Sequence, residues 1–172
     1  MNRIDAPVFW KWAFSDFLSN TLRGVLAEFI VATALGCAHR PRTEWDAYDL
    51  VADEELKVEV KSSSYLQTWE QKKHSAIRFD ISHKKSWDAK TNTSLLEAGR
   101  SADVYVFCVF SETKREIADP LNPEQWFFLV CSTQLLNDKL GVQKSVGLAA
   151  LEQFGLKRLS FNQLARAIRN AK

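Results

Sequence analysis

The chain has 172 residues, of which 46% are hydrophobic and 26% are charged. This length suits one domain with a sizeable buried core, and the composition excludes disordered and collagen-like proteins. The formal net charge is only +2, so the charge of the whole protein does not indicate an acidic partner such as nucleic acid.

Three cysteines at irregular spacing, Cys37, Cys108 and Cys131, form neither a disulfide framework nor a C-x-x-C zinc motif. Their apolar neighbours predict small core residues in a reducing compartment. The N-terminal residues lack the features of a signal peptide, and no apolar run reaches the roughly 18 residues of a membrane span. We therefore expect a cytoplasmic protein without a membrane segment.

A helix is predicted to begin after Asp5, because aspartate caps helices and Pro7 is tolerated in the first turn. Its aromatic residues are expected to pack on the core; the alternative is a contact in a homodimer, because exposed aromatic faces are uncommon on monomers. They are Phe9, Trp10, Trp12, Phe14 and Phe17.

A second helix is predicted over 21–35, between a cap at Ser19-Asn20 and the breaker Gly36. The helix is apolar nearly all round, so it should be buried. Glu28 is the exception, and an acid on an apolar face needs a partner.

Two short runs, 45–52 and 56–62, flank an acidic turn at residues 53–55 and are typical of a β-hairpin. The second run alternates strictly between an apolar face and a charged face, namely Leu56, Val58 and Val60 against Lys57, Glu59 and Lys61. Further strands are predicted near 77–81, 104–110 and 126–131, and helices near 145–154 and 161–168. No repeat or linker divides the chain, which predicts a single domain over residues 1–172.

Glu59 and Lys61 are two residues apart on the predicted strand, so their side chains point to the same side. Asp49 precedes the turn, and a hairpin can bring its carboxylate beside that of Glu59. We expect Asp49 rather than Asp46 there, since the two face opposite sides of a regular strand and Asp49 is nearer the turn.

Such a patch has the groups that phosphodiester cleavage needs. Carboxylates bind Mg²⁺ or Mn²⁺, which polarises the phosphate and lowers the pKa of a bound water. A lysine can orient that water or stabilise the developing charge. The alternative is an ordinary charge pair on a solvated strand, since E-x-K is a common pattern.

The order of these residues resembles the PD-(D/E)XK nuclease superfamily, over roughly residues 20–110, although Tyr48 stands where the family name places proline. The resemblance implies an α/β fold of the restriction-endonuclease type, with a central mixed β-sheet flanked by helices. It implies that Asp49 and Glu59 bind the metal, that Lys61 serves catalysis, and that Glu28 contacts the metal directly or through water. Gln67 is a further candidate, because related nucleases often place a glutamine after the E-x-K strand; otherwise it is an exposed loop amide.

Basic and hydroxyl side chains with interleaved tryptophans follow the motif, which suits phosphate contact and base stacking. A solvated basic face is the alternative. The candidate nucleic-acid-binding residues are Ser62, Ser63, Lys72, Lys73, Arg78, Lys84 and Lys85.

The sequence therefore predicts a Mg²⁺- or Mn²⁺-dependent nuclease acting on nucleic acid, DNA more than RNA. One alternative is a catalytically inactive module of this fold, used for nucleic-acid binding or protein assembly. The other is an unrelated α/β domain with a chance E-x-K, in which the three side chains would not converge.

Overall fold

The computed structural model describes residues 3–39, 42, 47–88 and 93–171. Its α-helices are α1 (Ala6–Ala13), α2 (Asn20–Leu35), α3 (Thr133–Leu140), α4 (Leu148–Gln153) and α5 (Phe161–Asn170). Its strands are β1 (Leu50–Val51), β2 (Lys57–Ser64), β3 (Arg78–Asp80), β4 (Lys84–Asp88), β5 (Thr93–Gly99), β6 (Val104–Phe110), β7 (Trp126–Ser132) and β8 (Ser145–Gly147).

Four strands form the central sheet, in the order β1–β2–β6–β7. β1 is antiparallel to β2, β2 is parallel to β6, and β6 is antiparallel to β7. The sheet is therefore mixed, and helices flank it, which confirms the predicted fold class. The hairpin expected from the strict alternation of residues 56–62 is also confirmed, because β1 and β2 pair around the acidic turn.

Every residue of β6 is buried, so both faces of the sheet are covered. Val58 and Val60 belong to an apolar layer that includes residues of α2 and α5. Tyr105 and Phe107 belong to a second layer on the opposite face, with residues of β3, β8, α3 and α4. Glu59 alternates with the two valines and lies opposite Tyr105 in the register. The charged face of β2 is therefore directed to the side of this second layer.

Two smaller sheets complete the described strands, and one of them corrects a predicted helix. The helix expected over 145–154 begins only at Leu148, because residues 145–147 form β8 and pair with β3. This long-range pairing satisfies the backbone groups that a helix would otherwise have used. β4 and β5 form the second small sheet, which the sequence pattern did not indicate.

The second predicted helix is confirmed. Ser19 Oγ accepts a hydrogen bond from Leu22 N at 3.3 Å, and Gly36 ends α2 with a φ of +77°. Glycine adopts this left-handed conformation without the steric cost that a side chain adds. Seven residues of α2 are buried, including the charged Arg23, whose guanidinium donates to Leu18 O at 2.9 Å.

The first helix behaves differently from expectation. Asp5 caps α1 as predicted, by accepting from Val8 N at 2.9 Å. Packing of the aromatic residues on the core was wrong for α1 itself, because the helix has no buried residue and Trp12 is 82% exposed. It is confirmed for Phe17, which follows the helix and packs against the apolar layer that contains Val58 and Val60. The helical periodicity predicts the element, but it does not determine which neighbour covers the apolar face.

Cys108 and Cys131 are buried and Cys37 is half-buried. Burial raises the pKa of both buried thiols, so we expect them to stay protonated and inert. Within the described ranges, no helix combines the length and the apolar character that crossing a membrane requires.

Candidate functional site

The β1–β2 hairpin brings Asp49 to the E-x-K strand. Asp49 N donates to Val58 O at 3.1 Å, immediately before β1 begins. The carboxylate of Asp49 then accepts a hydrogen bond from Val60 N, with 2.7 Å between Oδ2 and the nitrogen. Within the described part of the predicted run, residues 47–52, the strand β1 comprises only Leu50 and Val51. Asp46 lies outside the described residues.

Glu59 and Lys61 form an ion pair on β2, an interior strand of the central sheet. Lys61 Nζ donates to Glu59 Oε1 at 2.6 Å, and the two side chains are only 16% and 9% exposed. A second ammonium group, that of Lys84, lies 3.5 Å from the same carboxylate oxygen. Lys84 is the first residue of β4, so the cluster combines two separate sheets.

The charges of this cluster interact strongly. Burial and the negative charge of Glu59 raise the pKa of Asp49 to about 6, although the hydrogen bond from Val60 opposes the change. Burial alone would lower the pKa of Lys61, but the charge and hydrogen bond of Glu59, together with the charge of Asp49, raise it above its usual value. Lys61 is therefore an ammonium group at neutral pH, and a cation beside Asp49 would relieve its repulsion with Glu59.

Glu28 lies near this cluster but has a partner of its own. Its side chain is 13% exposed and forms a bidentate ion pair with Arg42, in which Arg42 Nη2 donates to Oε1 at 3.0 Å. The charge of Glu28 also contributes to the raised pKa of Asp49. Glu28 therefore has the partner that an acid on an apolar helix face needs, and that partner is Arg42. Contact between Glu28 and a metal stays a prediction.

Two carboxylates of the cluster suit a hard cation. Among the described residues, no three His, Cys, Asp or Glu side chains are grouped closely enough to hold a metal ion by themselves. The contacts described above use only Oδ2 of Asp49 and Oε1 of Glu59. Within the described part of the chain, the second oxygen of each carboxylate takes no part in these contacts. Mg²⁺ commonly uses one or two carboxylates together with water and phosphate oxygens.

Gln67 is buried rather than exposed, and its side chain organises the loop after β2. Its amide nitrogen donates to Ser64 O and Ser75 Oγ, both at 3.2 Å. Arg115 holds the same loop by donating to Gln67 O at 2.6 Å and to Trp69 O at 2.9 Å. Gln67 therefore stabilises the loop after β2. A direct role of Gln67 in catalysis stays a prediction.

The candidate nucleic-acid-binding residues divide by burial. The five basic ones, Lys72, Lys73, Arg78, Lys84 and Lys85, are all exposed. Ser63 is buried, and so is the hydroxyl of Ser62, which has no hydrogen-bond partner within the described chain. Phosphate contact is therefore sterically open to the basic side chains but not to Ser63.

Two neighbours of the site were not singled out from the sequence. Tyr105 pairs with Glu59 across the parallel strands, and burial together with the Glu59 charge raises its pKa. Hydrogen bonds from Ser82 lower the pKa of Asp80, and the charges of Lys61 and Lys84 contribute to the same change. Both residues belong to predicted strands. The register between β2 and β6 locates Tyr105 beside Glu59, and Asp80 lies within range of the charges of Lys61 and Lys84.

A comparison with protein-family models matches residues 13–143 to the family described as bacteriophage T4 endonuclease IV. The match covers 131 of the 172 residues, including α2, the whole cluster and β7. The chain therefore belongs to this family, which makes it a member of a nuclease family. No curated protein and no solved structure matches the chain significantly.

Proposed function

We propose that the chain is a Mg²⁺- or Mn²⁺-dependent endonuclease that hydrolyses phosphodiester bonds in DNA. The observation that carries the proposal is the convergence of Asp49, Glu59 and Lys61, in which Asp49 accepts from the peptide N–H between the other two residues. Membership of an endonuclease family supports the same chemistry. The resemblance to PD-(D/E)XK nucleases favours DNA over RNA.

Asp49 and Glu59 would hold the metal in this proposal, with Glu28 reaching it through water while paired to Arg42. The raised pKa of Asp49, which burial and the Glu59 charge cause, supports a cation at this position. When bound, Mg²⁺ would lower the pKa of the attacking water and neutralise charge on the phosphate.

The protein side chains supply position and charge for the hydrolysis. The water oxygen forms a bond to phosphorus and gives up one proton to solvent, the bond to one ester oxygen breaks, and that oxygen takes up a proton from solvent. Lys61 stays protonated and is fixed by Glu59, so it can donate hydrogen bonds to the water or to a phosphate oxygen as negative charge develops. The peptide N–H of Val60 keeps the Asp49 carboxylate in place.

The test is incubation of the purified chain with single- and double-stranded DNA and RNA, in Mg²⁺, in Mn²⁺ and in EDTA. Cleavage of DNA that requires the metal, and that Lys61→Ala abolishes, is the expected result. Lys139→Ala, at an exposed position on α3, is the matched control and should cleave at the wild-type rate. Cleavage that persists in EDTA, or that Lys61→Ala leaves at full rate, would contradict the proposal. Binding without cleavage would favour the inactive nucleic-acid-binding module.

A further inference from the structure

Two ammonium groups share one oxygen of Glu59, and they differ in how firmly they are held. Lys61 Nζ lies 2.6 Å from Oε1 and its side chain is 16% exposed. Lys84 Nζ lies 3.5 Å from the same atom and its side chain is 62% exposed. The longer and more solvated contact is the weaker one, because water screens it and the side chain keeps more of its freedom.

The segment that carries Lys84 is anchored just before that residue. Arg100 Nε donates to Ile81 O at 3.1 Å, and its Nη1 donates to Gly141 O at 2.9 Å. Ile81 N donates to Lys144 O at 2.9 Å, and the Ile81 side chain is buried. The backbone at the base of the β4–β5 sheet is therefore fixed, whereas the Lys84 side chain beyond it is exposed and can change its rotamer.

An ammonium group and a divalent cation are alternative partners for one carboxylate. When Lys84 neutralises Glu59, the carboxylate attracts a metal ion less strongly. A metal ion bound to Glu59 would in turn repel the Lys84 ammonium group. The displaced group would remain within one side-chain length of the site, where the negative charge of a phosphate is its natural partner.

From this geometry we propose that Lys84 exchanges between two partners, Glu59 in the metal-free protein and a phosphate of the nucleic acid in the metal-bound protein. The inference rests on the proposed function, because it requires a divalent cation at Glu59. It makes Lys84 a phosphate-binding residue of the site whose contact depends on the metal.

Metal affinity without nucleic acid is the first readout. Lys84→Gln removes the competing charge, so Mg²⁺ or Mn²⁺ titrated calorimetrically should bind about two- to fivefold more tightly than to the wild type, as expected for one partly exposed ion pair. Lys139→Gln is the matched control, because Lys139 is an exposed lysine of α3 and makes the same charge change away from β2 and β4. It should leave the metal affinity unchanged.

The second readout is the salt dependence of binding to a phosphorothioate oligonucleotide, which is hydrolysed slowly. In Mn²⁺, Lys84→Gln should reduce the slope of log K against log salt by about 1, the loss of one phosphate contact. In EDTA the slopes of the variant and the wild type should coincide, because Lys84 is then bound to Glu59.

Two outcomes separate the inference from the function on which it rests. If the wild type binds the metal and Glu59→Gln does not, but Lys84→Gln leaves metal affinity unchanged or changes the salt slope equally with and without metal, the role of Lys84 is wrong and the proposed function stands. If the wild type binds no divalent cation, or Glu59→Gln binds it equally well, both fail.

Discussion

The carboxylate of Asp49 accepts a hydrogen bond from the main-chain N–H of Val60, with 2.7 Å between Oδ2 and the nitrogen. Val60 is the residue between Glu59 and Lys61, and its own side chain points into the opposite apolar layer. One peptide group therefore ties the acid of the short strand to the centre of the E-x-K motif. This contact explains how a strand of only two residues can fix a side chain that the proposed chemistry needs.

Replacing Asp49 should stabilise the metal-free protein at high pH. Burial and the Glu59 charge raise the pKa of Asp49 to about 6, whereas an unfolded aspartate titrates near pH ~3.9. The folded state thus favours the protonated acid, and this stability is lost as pH rises from about 4 to about 6. In EDTA at pH 8, Asp49→Asn should raise the free energy of unfolding by about 1–2 kcal/mol.

Denaturation in urea at several pH values measures this effect. The difference between Asp49→Asn and the wild type should disappear near pH 4, and Mg²⁺ should stabilise only the wild type. Asp53→Asn is the control, because the Asp53 side chain is 85% exposed. A destabilised Asp49→Asn protein at pH 8 would show that the ionised carboxylate is favourable in the fold without metal.

Asp49 rather than Asp46 should be the metal-binding aspartate. The hydrogen bond from Val60 places Asp49 beside Glu59 and Lys61. We expect Asp49→Asn to reduce metal-dependent cleavage on the order of 100-fold or more, while Asp46→Asn retains most of it. Initial rates of both variants, each shown to be folded by circular dichroism, decide between the residues. The reverse ranking would transfer the role to Asp46.

Lys61 should act as a cation and not as a base. Burial would lower the pKa of Lys61, but Glu59 and Asp49 together raise it above its usual value, so the group remains charged through the neutral range. Lys61→Ala should lower kcat by about 100- to 1000-fold, and Lys61→Arg should retain part of the rate because it keeps the charge. A Lys61→Arg variant as slow as Lys61→Ala at every pH would indicate that charge alone is not what the residue contributes.

The exposed first helix should contribute little to stability. Trp12→Ala is expected to change the free energy of unfolding by no more than about 0.5 kcal/mol, because Trp12 contacts solvent. Trp126→Ala, at a position only 3% exposed, should lower it by about 3–5 kcal/mol. Guanidinium unfolding of both variants makes the comparison. A large, concentration-dependent effect of Trp12→Ala would indicate that a second copy covers α1.

The sequence pattern predicted the E-x-K strand well because its alternation is strict and local. Val58 and Val60 had to face a core, and Glu59 and Lys61 had to face the other side together. The burial of Glu59 was not predictable in this way, since it arises from the second apolar layer and from Tyr105 on a strand forty-odd residues away.

The contact of Lys84 with Glu59 could not be predicted from the sequence either, because it also depends on long-range contacts. The sequence marked Lys84 only as one of several basic residues, and the position of β4 depends on contacts of Arg100 with Ile81 and Gly141. Residues 145–147 were predicted as helix for the same reason: the sequence pattern is helical there, but their long-range pairing with β3 makes them a strand. Local periodicity predicts elements, whereas long-range contacts decide their partners.

A crystal of the protein soaked in MnCl₂ tests the central claim most directly, because the anomalous signal locates the metal without reference to activity. The proposed function predicts a peak within about 2.0–2.3 Å of a carboxylate oxygen of both Asp49 and Glu59, with the Lys84 ammonium moved away from Oε1. The peak should be absent from an Asp49→Asn crystal treated in the same way. A metal bound elsewhere, or a site at Glu59 that is equally occupied in Asp49→Asn, would contradict the assignment.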